Sequence, residues 1–291
     1  MYSHIINNVF LYYKITAMKN ILIPTDLTDC TRDTLKYAIN FSVKSNSKLF
    51  FYHISESLKT EDTGYMKDFI QRIFSEINVN LNQIQTEYIA EKGDLSNENI
   101  KKIIKKHSID LVIICSHHDG FRTTFFGSLV SDMINEVSCP VLSIPHNYNS
   151  FKMDHIGFAS ELFDLKKRIK AIIPFAKLFE ATIEIFHVYP VYPQEVDIEK
   201  YNAKKVLDNI KLENNYDKIN FHFIKTNFDN EPVKGILKYI NTNKPDLLVM
   251  SHKPRGLFDK LALDSGTTAV VVKTSPVPIL AFNKKSTSRM M

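Results

Sequence analysis

Two halves of this sequence repeat the same pattern, and this duplication limits the folds open to the chain more than any other feature. The segment NILIPTDL (Asn20 to Leu27) returns as HIGFASEL (His155 to Leu162). Three further pairs follow in the same order and at nearly the same spacing: LFFYHIS with IEIFHVY, IDLVIICSH with PDLLVMSHK, and CPVLSIP with VPILAF. Collinear matches of this kind indicate two tandem copies of one domain.

The length of the chain fits this interpretation. A chain of 291 residues suits two cores of medium size. We expect an N-terminal extension over residues 1–17, a first domain over 18–147 and a second, degenerate domain over 153–283. Met18 stands directly before the first clear strand, so we expect the extension to be peripheral and dispensable.

Within each copy, short β-branched runs alternate with amphipathic helical patterns. In the first copy ILIP, LFFYHI, EYIA, LVIIC and VLSI are mostly apolar throughout, which is typical of strands in a sheet buried on both faces. This order predicts an α/β fold made of two five-stranded, parallel, open, Rossmann-like sheets with helices on both sides. The run TTAVVVKTS (267–275) has strand propensity, but it aligns with the helical SDMINEVS, and we predict a helix there.

Composition excludes several classes of function. The net charge of +5 comes from 37 Lys and Arg against 32 Asp and Glu, spread in helix-face patterns, so we expect no nucleic-acid partner. The three cysteines show no CxxC spacing, which fits a reducing cytoplasm. No apolar run approaches the ~20 residues of a membrane span, and the N-terminus lacks the features of a signal peptide, so we expect no membrane association.

Candidate site residues follow the first and fourth strands, because ligands of such sheets sit beyond the carboxyl ends of the strands. The turn Pro24-Thr25-Asp26 offers a carboxylate that could accept hydrogen bonds from an adenine amine or a ribose hydroxyl. The alternative reading of Asp26 is a turn or helix-capping residue. After the fourth strand, Gly127 and Ser128 open a helix whose amides suit phosphate.

Other chemistry-bearing residues favour no catalytic or metal site. Cys115, His117, His118 and Asp119 are metal-ligand types, but neighbouring loop residues rarely converge on one ion, so we expect no metal. His53 and its repeat counterpart His187 point to a structural role. Neither a Walker loop nor a Ser-His-Asp grouping is present in the sequence.

The strand ILIPTDL, the segment Gly93 to Ile114 and the ending Phe125 to Pro145 resemble the universal stress protein family over residues 19–283. The resemblance implies an adenine nucleotide α-hydrolase-like fold. ATP-binding members carry an aspartate after strand one, and after strand four a loop with two glycines followed by a glycine–serine or glycine–threonine pair. Asp26, Gly127 and Ser128 match these positions, whereas Cys115 and His118 replace the first two glycines and the second spacer is one residue short.

The second copy departs further from the family pattern. Glu161 takes the aspartate position, Ser251 and Pro254 take the first two glycines, and Asp264 precedes the retained Ser265. Proline removes an amide donor and an aspartate repels phosphate. We therefore expect no nucleotide in domain 2, while ATP binding in domain 1 stays open.

The resemblance favours a stress-response sensor or interaction module that is non-catalytic or barely catalytic and acts on an unidentified protein partner. It implies an intramolecular pseudo-dimer of the two domains, packed through VLSI and ILAF, and a homodimer stays open. The alternative is a slow ATP-handling enzyme, an ATPase or nucleotidyl transferase, that uses domain 1. A flavin protein of similar topology lacks any signature here.

Overall fold

The computed structural model describes residues 18–57, 62–116, 124–162, 165–190, 203–226, 232–251 and 265–282. In repeat one the elements are β1 (Asn20–Pro24), α1 (Asp29–Ser45), β2 (Lys48–Ser55), α2 (Asp62–Glu76), a 3-10 turn (Leu81–Gln83), β3 (Thr86–Lys92), α3 (Asn97–Lys106), β4 (Leu111–Ser116), α4 (Thr124–Glu136) and β5 (Val141–Pro145). In repeat two they are β6 (His155–Ala159), α5 (Leu165–Phe179), β7 (Thr182–Pro190), α6 (Ala203–Asn214), β8 (Ile219–Thr226), α7 (Pro232–Asn243), β9 (Leu247–Ser251), α8 (Ser265–Thr274) and β10 (Ile279–Phe282).

The strands form one ten-stranded sheet in the order β3-β2-β1-β4-β5-β10-β9-β6-β7-β8. The neighbouring strands within each half are parallel, and the two halves meet where β5 and β10 pair antiparallel, with Leu142 opposite Leu280. This arrangement confirms the predicted α/β fold. The pseudo-dimer forms through VLSI and ILAF, as expected.

The central strands β1, β4 and β5 are buried on both faces, as their sequences predict, whereas the edge strand β3 is half-buried. Ile21 and Ile23 of β1 belong to the core beneath α1 and α2, whereas Leu22 belongs to the core beneath α3 and α4. The segment with strand propensity near the C-terminus is the helix α8, in which Val271 and Val272 are buried. Packing against the sheet therefore outweighs the intrinsic preference of its β-branched residues.

An aromatic cluster joins the two repeats on one face of the sheet. Its members come from α1, from the connecting segment and from α5: Tyr37, Phe41, Tyr148, Phe151, Phe175 and Phe179. The ring of Phe41 lies 5.5 Å from Phe175 and 5.4 Å from Phe179 between centroids. On the other face α4 packs against α8. The repeats therefore share core packing as well as a sheet.

The duplication extends to individual hydrogen bonds at the amino ends of the strands. Asp110 Oδ2 accepts the backbone amides of Lys19 and Asn20 at 2.9 and 3.0 Å. Asp246 Oδ2 accepts the two corresponding amides in repeat two, both at 2.9 Å. The predicted extension over residues 1–17 lies outside the described residues. None of the helices within the described ranges is long and apolar enough to cross a membrane.

Candidate functional site

The topology brings the turn after β1 and the loop after β4 to one edge of the sheet. β1 lies between β2 and β4, and the helix that leads from β1 to β2 packs on the opposite face from α3, which leads from β3 to β4. The carboxyl end of β1 is therefore a topological switch point, where open α/β sheets leave a crevice for ligands. Most of the loop after β4, residues 117–123, is outside the described ranges.

The turn after β1 has an unusual backbone conformation. Pro24 ends the strand opposite Tyr52, and the Thr25 amide donates to the Tyr52 carbonyl at 2.9 Å. The buried Thr25 hydroxyl accepts the Leu27 amide at 3.1 Å, and Leu27 has a φ of 59°. A left-handed leucine is uncommon because its Cβ crowds the following carbonyl.

The Asp26 side chain is bound on one oxygen only by the described residues. Oδ1 accepts the Thr28 amide at 3.0 Å, the Thr28 hydroxyl at 2.7 Å and the Thr31 hydroxyl at 3.3 Å. These contacts agree with the turn-aspartate reading of Asp26. They also leave the acceptor capacity of Oδ2 uncommitted among the described groups. The sequence analysis missed both threonines, although an aspartate with threonine two residues later is an Asx-turn signal.

The candidates after β4 fall into different environments. Cys115 lies inside β4, opposite Ile144 of β5, and its side chain is buried. His118 is outside the described residues. Gly127 is the fourth residue of α4 and Ser128 the fifth. The amides without intrahelical acceptors are those of the cap and of the first three residues of a helix, here Thr124 to Phe126, so Gly127 directly follows them.

His53 and His187 make the same contact in their repeats. His53 Nδ1 lies 3.0 Å from the Thr25 carbonyl oxygen, and His187 Nδ1 lies 2.7 Å from that of Ser160. Each histidine thus ties the turn after the first strand to the second strand. Burial lowers the pKa of His187. This shared contact agrees with the structural role predicted for both histidines.

No group of three or more His, Cys, Asp or Glu residues that could hold a metal ion occurs in the described part of the chain. Three members of the grouping considered from the sequence, His117, His118 and Asp119, lie outside it.

The comparison with protein families decides the identity of the fold. The model of the universal stress protein family matches residues 18–145 and again 166–283. The chain belongs to the universal stress protein family. The resemblance inferred from ILIPTDL and the FFGS segment is therefore confirmed.

Solved structures of similar shape agree with this family fold. A universal stress protein from Archaeoglobus fulgidus DSM 4304 is 15% identical, with a TM-score of 0.66, over 91% of this chain and 98% of that one. A protein of Pseudomonas aeruginosa PAO1 described as functionally unknown is 14% identical, with a TM-score of 0.66, over 95% and 96%. No curated protein sequence matches this chain.

Repeat two of this universal stress protein keeps the turn but changes its surroundings. The Ser160 hydroxyl accepts the Leu162 amide at 3.1 Å, and Leu162 has a φ of 65°. Phe163 and Lys166 stand where repeat one has its two threonines. The Lys166 ammonium group instead binds Glu213 at 2.6 Å. Pro254 and Asp264 are outside the described residues, and Ser265 begins α8.

A tyrosine fills the space between β6 and α7, which the sequence analysis missed. The Tyr239 ring stacks on Phe186 with centroids 3.8 Å apart, and burial raises its pKa. A Cβ on Gly157 would lie only 2.7 Å from Tyr239 Cε1. A glycine at this point in β6 is therefore required by the close approach of the ring.

Proposed function

We propose that this chain is a cytoplasmic stress-response sensor or interaction module that binds one adenine nucleotide per chain, in repeat one. In this proposal the adenosine lies near Asp26 and the phosphates near Gly127 and Ser128. Repeat two is a nucleotide-free domain that completes the pseudo-dimer. Membership in the universal stress protein family supports the stress-response assignment.

The observation that carries the proposal is that the described groups hydrogen-bond to only one of the two carboxylate oxygens of Asp26. The hydrogen bonds that described groups make to it fall on Oδ1, so Oδ2 keeps its acceptor capacity at the carboxyl end of β1. An exocyclic adenine amine and a ribose hydroxyl are both donors that suit such an oxygen. The crevice at this switch point is where open α/β sheets bind ligands.

The phosphates are assigned to the first turn of α4. Free amides and the positive end of the helix dipole favour an anion there. Gly127 has no side chain to obstruct a phosphate that approaches the free amides of this turn. Asp26 and this turn follow strands β1 and β4, which are neighbours in the sheet, so one ligand can reach both.

The sequence of repeat two does not carry an equivalent set of residues. Glu161 is one methylene longer than Asp26, and the threonines that orient Asp26 are replaced by Phe163 and Lys166. At the family's glycine positions Pro254 lacks an amide donor and Asp264 brings a negative charge towards phosphate. We therefore assign no nucleotide to repeat two.

Calorimetric titration of the full chain with MgATP tests the assignment. We expect one site per chain, weakened by Asp26→Ala through loss of a hydrogen bond worth about 1–3 kcal/mol, roughly 5- to 150-fold in Kd. The matched variant Glu161→Ala should bind as the wild type does. Two sites per chain, or one site abolished by Glu161→Ala, would contradict the assignment. If no binding is detected at millimolar ATP, the proposed nucleotide site is refuted, and the interaction module alone remains as the proposed function.

A phosphate-release assay on the same protein separates this proposal from a slow ATPase. We expect bound ATP to be recovered intact over hours. Release of phosphate that Asp26→Ala abolishes would instead assign a hydrolytic activity to repeat one.

A further inference from the structure

His53 in repeat one and His187 in repeat two make the same hydrogen bond, but its consequences differ between the repeats. Its Nδ1 lies 3.0 Å from the Thr25 carbonyl oxygen, while the Thr25 amide donates to the Tyr52 carbonyl at 2.9 Å. A carbonyl oxygen only accepts, so Nδ1 carries the proton in this contact. Thr25 is therefore held to β2 through both of its backbone polar groups.

Hydrogen bonds of the buried Thr25 and Thr31 hydroxyls connect this restrained residue to the Asp26 carboxylate. Thr25 Oγ1 accepts the Leu27 amide and lies 3.0 Å from Thr31 Oγ1. Thr31 Oγ1 lies 3.3 Å from Asp26 Oδ1 and 3.0 Å from the Thr28 carbonyl, both of which only accept. Since each hydroxyl has one proton, Thr25 donates to Thr31, and Thr31 shares its proton between the Thr28 carbonyl and Asp26 Oδ1. The relay runs from His53 to Asp26 Oδ1.

The relay is shorter in repeat two. His187 Nδ1 holds the Ser160 carbonyl at 2.7 Å, and the Ser160 hydroxyl accepts the Leu162 amide at 3.1 Å. The position of Thr31 belongs to Lys166, whose ammonium group is bound to Glu213 at 2.6 Å. The histidine contact therefore fixes the turn in repeat two without a hydroxyl at that position to extend it to a carboxylate.

We propose that His53 is a positioning residue for the ligand contact of Asp26, an inference that rests on the proposed nucleotide site. His53 holds the Thr25 carbonyl, the threonine pair orients Oδ1, and Oδ2 is thereby presented to the ligand. His187 makes the same bond for the fold alone. The same substitution in the two repeats therefore costs similar stability but affects binding in only one of them.

The matched variants His53→Leu and His187→Leu, in the full chain, test this division. We expect both to lower the urea midpoint of unfolding, because each loses the same hydrogen bond. MgATP binding should weaken about tenfold in His53→Leu and stay within about twofold of wild type in His187→Leu. His53→Asn, whose Nδ2 donates from nearly the same place as Nδ1, should restore binding to within about threefold of wild type.

Wild-type affinity in His53→Leu would overturn the inference, provided that Asp26→Ala weakens binding. Unchanged binding in both His53→Leu and Asp26→Ala would instead refute the proposed site. Should His53→Leu fail to fold, His53→Gln replaces it, because its amide donor lies one bond further out and should not rescue as Asn does. A readout without nucleotide is the 13C chemical shift of the Asp26 carboxyl. We expect His53→Leu to move it and His187→Leu to leave it, and an unmoved shift in His53→Leu would overturn the inference even if ATP does not bind.

Discussion

The turn after the first strand follows one plan in both repeats but ends differently. In each, a histidine of the second strand holds the carbonyl of a buried Ser or Thr, whose hydroxyl accepts the amide of a left-handed leucine. In repeat one Thr31 extends this network to the carboxylate of Asp26, whereas Lys166 of repeat two pairs with Glu213 on the surface. Different side chains therefore make the hydrogen bonds that shape the turn and those that orient its carboxylate. A repeat can lose the second group of hydrogen bonds and keep the first.

The largest expected effect concerns the interior of repeat two, where Gly157 has replaced the leucine that repeat one carries at Leu22. Gly157→Ala places a Cβ only 2.7 Å from the present position of Tyr239 Cε1. The ring is stacked on Phe186 and buried, so it cannot withdraw cheaply. We expect the free energy of unfolding to fall by about 3 kcal/mol, which urea denaturation measures.

The control for this prediction is the same substitution in a Tyr239→Ile background, which restores the residue type of Ile103 in repeat one. There Gly157→Ala should cost less than about 0.5 kcal/mol, because the clashing ring is absent. Equal costs in both backgrounds would show that Tyr239 is not the reason for the glycine.

A smaller effect distinguishes the two left-handed leucines. Leu27 is buried and Leu162 only half-buried, with φ values of 59° and 65°. Leu27→Gly removes backbone strain of about 1 kcal/mol but loses a core side chain, so we expect a net loss of about 1–2 kcal/mol. Leu162→Gly should change the free energy of unfolding by less than about 0.5 kcal/mol, because strain relief offsets the smaller burial.

Alanine at the same position isolates the strain. Leu27→Ala loses most of the buried side chain but keeps the strain of the left-handed backbone conformation. It should therefore be about 1 kcal/mol less stable than Leu27→Gly. An alanine variant as stable as the glycine variant would mean that the turn has relaxed to another conformation.

The large-scale fold could be predicted from the sequence because it rests on regular patterns. Apolar strands, helical periodicity and the duplication fixed the order of elements, and the match of TTAVVVKTS to a helical segment corrected a misleading propensity. The pairing of β5 with β10 followed from the family resemblance.

The details of the site could not be predicted, because they depend on backbone geometry. The hydroxyl relay needs the left-handed Leu27, which folds the chain so that Thr31 returns to Asp26. No residue pattern marks that conformation, since leucine rarely adopts it. Tyr239 meets Gly157 only through the crossover that brings α7 onto β6, and two residues so far apart in sequence carry no local signal. The dipeptide Gly127-Ser128 lies at the fourth and fifth positions of α4 and does not open the helix, and its role stays a prediction.

The smallest expected effect is a pH dependence that belongs to repeat two. Burial lowers the pKa of His187 in the folded chain below the value of about 6.5 typical of an unfolded histidine. Near pH 7.5 the imidazole is neutral in both states, and its contribution to stability is fully present. As the pH falls below the unfolded pKa, the unfolded chain takes up the proton first, so the free energy of unfolding decreases until the folded pKa is passed.

Urea midpoints between pH 7.5 and 5 should therefore decline less steeply in His187→Asn than in the wild type. Gly157→Ala is the control, because it is destabilised but keeps the imidazole and should keep the wild-type slope. Identical slopes in His187→Asn and the wild type would show that this histidine does not couple protonation to folding.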